Sequence, residues 1–139
     1  MNIEDNLNFK SVELFNEEIN IYILRKNCGF TGHASYERSE RLKKAFELNK
    51  TDGRQAPFDR IFRVDKGHED GNELHCVTKN GIIFILNEEK FRNWEGCIVT
   101  ALFARVNQAE RLYDAVGIEF PEQIRIKCEE WEDKGLNKI

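Results

Sequence analysis

The dipeptide Asn80-Gly81 separates two strand-like segments, and this arrangement constrains the fold more than any other feature of the sequence. Residues 72–78 (NELHCVT) alternate between polar and apolar side chains, whereas residues 81–87 (GIIFILN) are almost entirely apolar. Asn-Gly is the strongest short signal for a β-hairpin, because a type I′ turn needs positive φ angles at both central positions. The sequence therefore predicts an antiparallel hairpin whose second strand lies in the centre of a sheet.

Two further segments have the pattern of strands. Residues 59–65 (DRIFRVD) alternate ahead of the hairpin, and residues 97–105 (CIVTALFAR) follow it after a predicted loop over residues 88–96. Together with the hairpin, these segments predict a four-stranded antiparallel meander.

Apolar side chains at helical spacing flank the meander on both sides. Glycine and proline supply the start and stop signals of the helices that follow it. The predicted helices cover residues 11–26, 34–48, 107–117 and 121–135, and a loop is predicted over residues 49–57. The predicted fold is α+β, with N-terminal helices, the meander and C-terminal helices. We expect the helices to pack on one face of the sheet and to leave the other face partly open.

Length and composition predict a single domain over residues 1–139, with 40% hydrophobic and 33% charged residues. No apolar run is long enough for a membrane span, and the polar N-terminus MNIEDNLNFK does not resemble a signal peptide. The prediction is a cytoplasmic protein that does not contact a membrane. The four cysteines are widely spaced and are expected to be buried free thiols, with no metal and no other cofactor.

The net charge is −4, and the acidic excess is concentrated in the C-terminal segment CEEWEDKG. A strongly basic chain is typical of nucleic-acid binding. This composition therefore counts against a nucleic-acid ligand unless the positive charge is gathered locally.

His75 is the main candidate for chemistry. Alternation places His75 and Glu73 on one face of their strand, and Leu74 and Cys76 on the face expected to meet the helices. An imidazole on the open face could transfer protons near neutral pH, because its unperturbed pKa is about 6.5. The alternative is a half-buried histidine that is hydrogen-bonded to a neighbour.

A second group of residues is suited to anion binding. Arg105 ends the last predicted strand and could clamp a phosphate, with Gln108 and Arg111 extending the patch along the next helix. Lys66 and His68 lie in the glycine-flanked loop at the mouth of the hairpin. The alternatives are an ordinary strand-end charge and a solvated polar loop.

Two further candidates depend on local geometry. Thr100 and Arg105 fall on opposite faces of a regular strand, so they can serve one site only through a bulge or at the strand end. His33 opens the second predicted helix, and Arg38 and Arg41 share one of its faces. A solvated helix face interleaved with glutamates is the alternative for this pair.

The block RVDKGHEDGNELHCVTKNGIIFILNEEK, followed by CIVTALFARVNQAERLY, resembles a family of small phage- and prophage-encoded proteins. Their shared pattern runs VDKGHPNGNEIHxITxNGIIxIYN and then LVTxLIARPGQIKRYY. The segment HASYERSERLK is similar to the HAxxRxxER segment of that family, and FPEQIRIKCEEWEDKGLN is similar to its closing helix. The pattern is similar in turn to the barnase–EndoU–colicin–RelE superfamily of RNases.

The resemblance implies N-terminal helices before a four-stranded antiparallel sheet, and RNA cleavage without a metal on the open sheet face. His75, Thr100 and Arg105 match the family's IH, VT and AR positions, and His33 and Arg41 match its helix-opening pair. The first functional hypothesis is a metal-independent, ribonuclease-like domain that cleaves or binds RNA. The alternative is a non-enzymatic phage accessory protein that binds and inhibits a host protein or sequesters a small nucleotide.

Overall fold

The computed structural model describes residues 9–27, 36–67, 69, 71–93 and 96–138. Within these ranges the fold is α+β, as predicted, and its main element is a five-stranded antiparallel sheet with strand order β1-β4-β5-β6-β7. A separate two-stranded hairpin pairs β2 with β3. The strands are β1 (Ser11–Leu14), β2 (Lys50–Thr51), β3 (Arg54–Gln55), β4 (Phe58–Asp65), β5 (Glu73–Thr78), β6 (Ile82–Asn87) and β7 (Ile98–Phe103).

Helices lie before, within and after the sheet segments. They are α1 (Ile21–Asn27), α2 (Tyr36–Leu48), α3 (Glu88–Arg92), α4 (Val106–Ala115) and α5 (Glu122–Asp133), with a 3₁₀ turn at Leu136–Lys138. The predicted helices that became α2, α4 and α5 are confirmed within the described residues. The loop predicted over residues 88–96 instead begins with α3, because the Asn87 side chain accepts a hydrogen bond from the Lys90 amide and caps the helix.

The helix predicted over residues 11–26 is wrong in its first half. Val12 and Leu14 form β1, where they pair with Val64 and Phe62 of β4. The helix begins only at Ile21, after the Asn20 side chain accepts a hydrogen bond from the Tyr22 amide at 2.9 Å. The sheet therefore gains an edge strand that the meander prediction lacked.

The β5–β6 hairpin is confirmed, but its turn is not of type I′. Gly81 has a φ angle of +74°, whereas Asn80 does not have a positive φ angle. The Gly81 amide donates to the Thr78 carbonyl at 3.0 Å. A Cβ atom on Gly81 would lie 3.1 Å from Cys128 Sγ and 3.2 Å from Lys127 Cβ of α5. Glycine is thus required both by the turn and by the close approach of α5.

Helices cover both faces of the sheet, so the prediction of a partly open face is wrong. On the α2 face, the side chains of Leu74 and Phe84 share a core with Leu42 and Phe46 of α2. On the opposite side, which we call the α4 face, sheet side chains form a second core with α4. Its members include Phe62, Val77, Ile83, Ile85, Leu112 and Tyr113. Helix α5 contributes to both cores, through Trp131 on the α2 face and through Ile124 and Cys128 on the α4 face.

Among the three described cysteines, one differs from the expectation. Cys76 and Cys128 are buried free thiols, as predicted, and burial raises the pKa of Cys128 to about 12. Cys97 is disulfide-bonded, so the expectation of a free thiol is wrong there, and Cys28 lies outside the described residues. Among the described helices, none combines the length and apolar character needed to cross a bilayer.

Candidate functional site

Most of the residues predicted from the sequence to form a site belong to the α4 face or to the helix that covers it. Thr100 pairs with Ile85, which pairs with His75, and cross-strand partners share a face. The residues on this side are Lys66, His75, Thr100, Arg105, Gln108 and Arg111. Arg41 lies on α2, on the opposite side of the sheet, while His33 and His68 lie outside the described residues.

His75 is buried rather than exposed on an open face. Only 5% of the residue is accessible, and its Nε2 atom lies 3.0 Å from Glu73 Oε1. The same carboxylate oxygen lies 3.1 Å from Lys66 Nζ. The ring of Phe9 stands edge-on to the imidazole, with 5.7 Å between the ring centroids. We call this arrangement the Lys66–Glu73–His75 chain, and Phe9 closes it on one side.

The protonation of this chain follows from its burial. Burial lowers the pKa of His75 below its usual value, against the opposing effect of the Glu73 carboxylate. Burial by itself raises the pKa of Glu73, but His75 and Lys66 together hold the pKa of that carboxyl below its usual range. At neutral pH the imidazole is therefore neutral, and its Nε2–H donates to an ionised Glu73. His75 therefore holds the Glu73 side chain in position. Because the imidazole is buried and hydrogen-bonded, it is not well placed to exchange a proton with a ligand.

Thr100 lies two strands away from His75 in the same cross-strand row. Thr100 as a whole is half-buried. Its hydroxyl oxygen, however, is buried and has no hydrogen-bond partner within the described residues. The register between β6 and β7 shifts just before Thr100, because Ile85 pairs with Thr100 while Leu86 pairs with Ile98. A bulge between Thr100 and Arg105 was one of the two ways in which both residues could serve one site, but the register shift lies ahead of both residues. They instead share one side of the molecule because β7 ends at Phe103 and α4 turns back across the sheet.

The start of α4 arranges the remaining candidates. Arg105 precedes the helix, and its amide donates to the Gln108 side-chain oxygen at 2.9 Å. Arg111 is one helical turn beyond Gln108, and its guanidinium carbon lies 5.6 Å from the centre of the Phe9 ring. Phe9 therefore stands between Arg111 and the imidazole of His75.

The register of the sheet separates the end of β7, which precedes Arg105, from His75. His75 of β5 pairs with Ile85 of β6, and Phe103 of β7 pairs with Ile82 of β6. Phe103 is therefore two strands away from His75 and three residues further along the sheet. Neighbouring strands are about 4.8 Å apart and successive residues about 3.3 Å, which separates Phe103 from His75 by about 14 Å. Arg105 follows two residues later, so the phosphate clamp and the imidazole predicted to act together are not adjacent.

Sequence reasoning missed the part played by Phe9. This residue covers His75 because β1, which follows it, pairs with β4 at the edge of the sheet. The alternation of Val12 and Leu14 with polar neighbours was the available signal, and helical spacing over the same residues competed with it. Without β1, the face that carries His75 appears open.

Neither metal ligation nor similarity to a known protein identifies this site. Across the residues that the structure describes, no group of three or more His, Cys, Asp or Glu side chains is placed to hold a metal ion. Comparison of the chain with protein family models, curated proteins and solved structures found no match.

Proposed function

We propose that this protein binds RNA on the side of the molecule that carries α4, along a surface strip formed by Arg105, Gln108 and Arg111, which we call the α4 strip. The observation that carries the proposal is the position of Arg105 at the head of α4. This residue is half-buried, and within the described residues its guanidinium makes no ion pair with a carboxylate. A guanidinium that is not neutralised can bind a phosphate group through two parallel hydrogen bonds.

Neighbouring groups extend the same strip. Gln108 is half-buried beside Arg105, and its side-chain NH₂ group can donate while its oxygen accepts from the Arg105 amide. Thr100 and Leu102 are half-exposed on β7, at the edge of the sheet. Cations and amides next to an exposed apolar surface are groups that contact the RNA backbone and unstacked bases.

The geometry supports binding of RNA better than cleavage of RNA. His75 is buried, and its Nε2 atom is engaged by Glu73. The end of β7, which precedes Arg105, lies about 14 Å from His75 along the sheet. A general acid or base needs to come within about 3 Å of the proton that it transfers. We therefore assign His75 a positioning role in the Lys66–Glu73–His75 chain.

A second candidate function is binding to a host protein. Helix α5 carries exposed carboxylates at Glu129, Glu132 and Asp133, and the chain is acidic overall. Such a surface is complementary to a basic, nucleic-acid-binding partner. This candidate would be favoured if the protein bound no RNA but formed a stoichiometric complex with one host protein.

Binding can be tested with a fluorescently labelled single-stranded RNA and measurement of anisotropy over a range of salt concentrations. We expect Arg105→Gln to weaken binding for every RNA sequence and to reduce the slope of log K against log salt by about 1, as for one lost phosphate contact. Lys44→Gln is the matched control, because Lys44 is an exposed cation on α2 and its loss changes the net charge equally. Equal binding by both variants would refute the proposed site.

The same RNA, labelled at one end, gives a second readout on denaturing gels. We expect the RNA to stay intact under the binding conditions. Cleavage that disappears in His75→Gln would show that His75 takes part in chemistry, and the positioning role would then be wrong.

A further inference from the structure

A groove distinct from the α4 strip opens between the β2–β3 hairpin, the turn between β5 and β6, and α5. Its volume is about 590 Å³. Arg54, Lys79 and Lys127 contribute to its lining, and we call it the basic groove. Cavities of about 300 to 1,000 Å³ are the size that small ligands occupy in proteins.

The charge of the basic groove is opposite to that of the whole chain. Among the residues that the structure describes, its lining includes three cationic side chains and no carboxylate, although the net charge of the protein is −4. Lys127 is partly neutralised, since its Nζ atom lies 3.3 Å from Glu130 Oε2 and 5.8 Å from the Trp131 ring centre. Arg54 and Lys79 are exposed, and neither lies within 4 Å of a carboxylate in the described part of the chain. Two cations are thus available to an anionic ligand.

The floor of the groove is apolar. Ala56 and Pro57 line it on one side, and Ile126 of α5 lines it on the other. Ile126 is 57% exposed, whereas Ile124 of the same helix is buried in the core. A large aliphatic side chain left in water between cations offers a surface on which a flat ring can pack.

Buried polar side chains hold the back of the groove in place. The Gln55 amide nitrogen donates to the Phe46 carbonyl at 2.7 Å, and the Asn80 amide nitrogen donates to the Asn49 carbonyl at 3.1 Å. The Trp131 indole donates to the Asn80 carbonyl at 2.9 Å, which joins α5 to the β5–β6 turn. The walls are therefore formed before a ligand enters, and little ordering cost opposes binding.

We propose that the basic groove binds a nucleoside monophosphate, with its base on the Ile126 floor and its phosphate between Arg54 and Lys79. An apolar floor with cations, and with no carboxylate among the described lining residues, matches a ligand that joins a flat ring to a dianion. Inorganic phosphate satisfies only the cations, and an uncharged nucleoside satisfies only the floor. This inference does not depend on RNA binding at the α4 strip, because the two sites use different residues.

Isothermal titration calorimetry with adenosine, uridine, guanosine and cytidine 5′-monophosphates tests the proposal, with inorganic phosphate and adenosine as separate ligands. We expect at least one monophosphate to bind more tightly than either of these two. Lys79→Gln and Arg54→Gln should each weaken that binding about tenfold, as expected for loss of a charge-assisted hydrogen bond. Ile126→Glu, which places a carboxylate in the floor, should weaken it further.

A control variant makes the result specific. Lys44→Gln removes an exposed cation from α2, so it should not change nucleotide affinity. Lys79 and Ile126 are exposed, so their replacement leaves the core intact, and circular dichroism verifies this. The proposal is overturned if no monophosphate binds, or if Lys79→Gln binds as tightly as Lys44→Gln.

Discussion

The imidazole of His75 is held by one carboxylate in a position that water scarcely reaches. The sequence predicted its face correctly, since Val77 lies in the core under α4 while Leu74 and Cys76 lie in the core under α2. Alternation along a strand identifies which side chains share a face, but it does not identify what covers that face. The cover comes from Phe9 and α4, which are remote in sequence, so the burial of His75 could not be predicted.

This burial has a consequence for stability at acidic pH. The folded-state pKa of His75 lies below the usual value of 6.5, so the unfolded chain binds a proton more readily than the folded chain does. The stability that the uncharged His75 contributes to the folded state is fully present above pH 6.5. The free energy of unfolding falls as the pH drops through 6.5 towards the folded-state pKa. Glu73, whose pKa lies below 4.5, adds a further loss only below that pH.

We expect His75→Gln to remove this dependence, because glutamine can donate to Glu73 but does not titrate. The free energy of unfolding, measured by urea denaturation between pH 5 and 8, should fall towards low pH in the parent protein by up to about 1.4 kcal/mol per pH unit. The variant should show a smaller slope in this range. Parallel curves for the two proteins would mean that His75 is not the group that resists protonation.

At the level of elements, the predictions succeed where a segment carries its own signal. The residues of β5, α4 and α5 have clear periodicity, and those of β6 form a continuous apolar run. Glycine or proline marks at least one end of each segment, and these elements appear in the structure. The failures are short elements that depend on a partner. β1 consists of Ser11–Leu14 and is fixed by pairing with β4, and the β2–β3 hairpin pairs only two residues on each side. Strand preference depends on such neighbours more than on the segment itself.

Gly81 offers a test of how closely one element is fitted to another. We expect Gly81→Ala to destabilise the protein by about 1–2 kcal/mol, because residue 81 has a left-handed backbone conformation that is unfavourable for alanine. An added cost of about 1 kcal/mol or more should come from contact with Cys128 and Lys127. Gly53→Ala is the matched control, because Gly53 has a φ angle of +77° and no atom of the described residues lies within 4 Å of its added Cβ. Thermal denaturation of both variants measures the difference, and equal losses would show that α5 does not constrain the turn.

At the level of the whole molecule, the net charge conceals the distribution of charge. A net charge of −4 counted against an anionic ligand such as a nucleic acid. Arg54, Lys79 and Lys127 nevertheless line one groove. These residues come from a hairpin, a turn and a helix that are separated by long stretches of sequence. Composition cannot reveal such a patch, because it appears only when the fold brings the three elements together.

The two cores of the molecule share structural elements, and this could not be predicted from the sequence. The sheet is common to both cores, and α5 places Trp131 in one of them and Ile124 and Cys128 in the other. Loss of the contacts on one side should therefore weaken the other side as well. We expect the domain to unfold in a single cooperative transition.

Trp131→Ala is the variant that tests this connection. It removes a buried ring that packs against Phe103 at 5.3 Å between centroids, and it leaves the Asn80 carbonyl without its indole donor. We expect a loss of about 3–5 kcal/mol in the free energy of unfolding. Ile126→Ala, on the exposed side of the same helix, should change it by only about 0.5 kcal/mol. Guanidinium denaturation followed by far-ultraviolet and near-ultraviolet circular dichroism should give coincident curves for each variant. Two separated transitions would show that the cores fold independently and that α5 does not couple them.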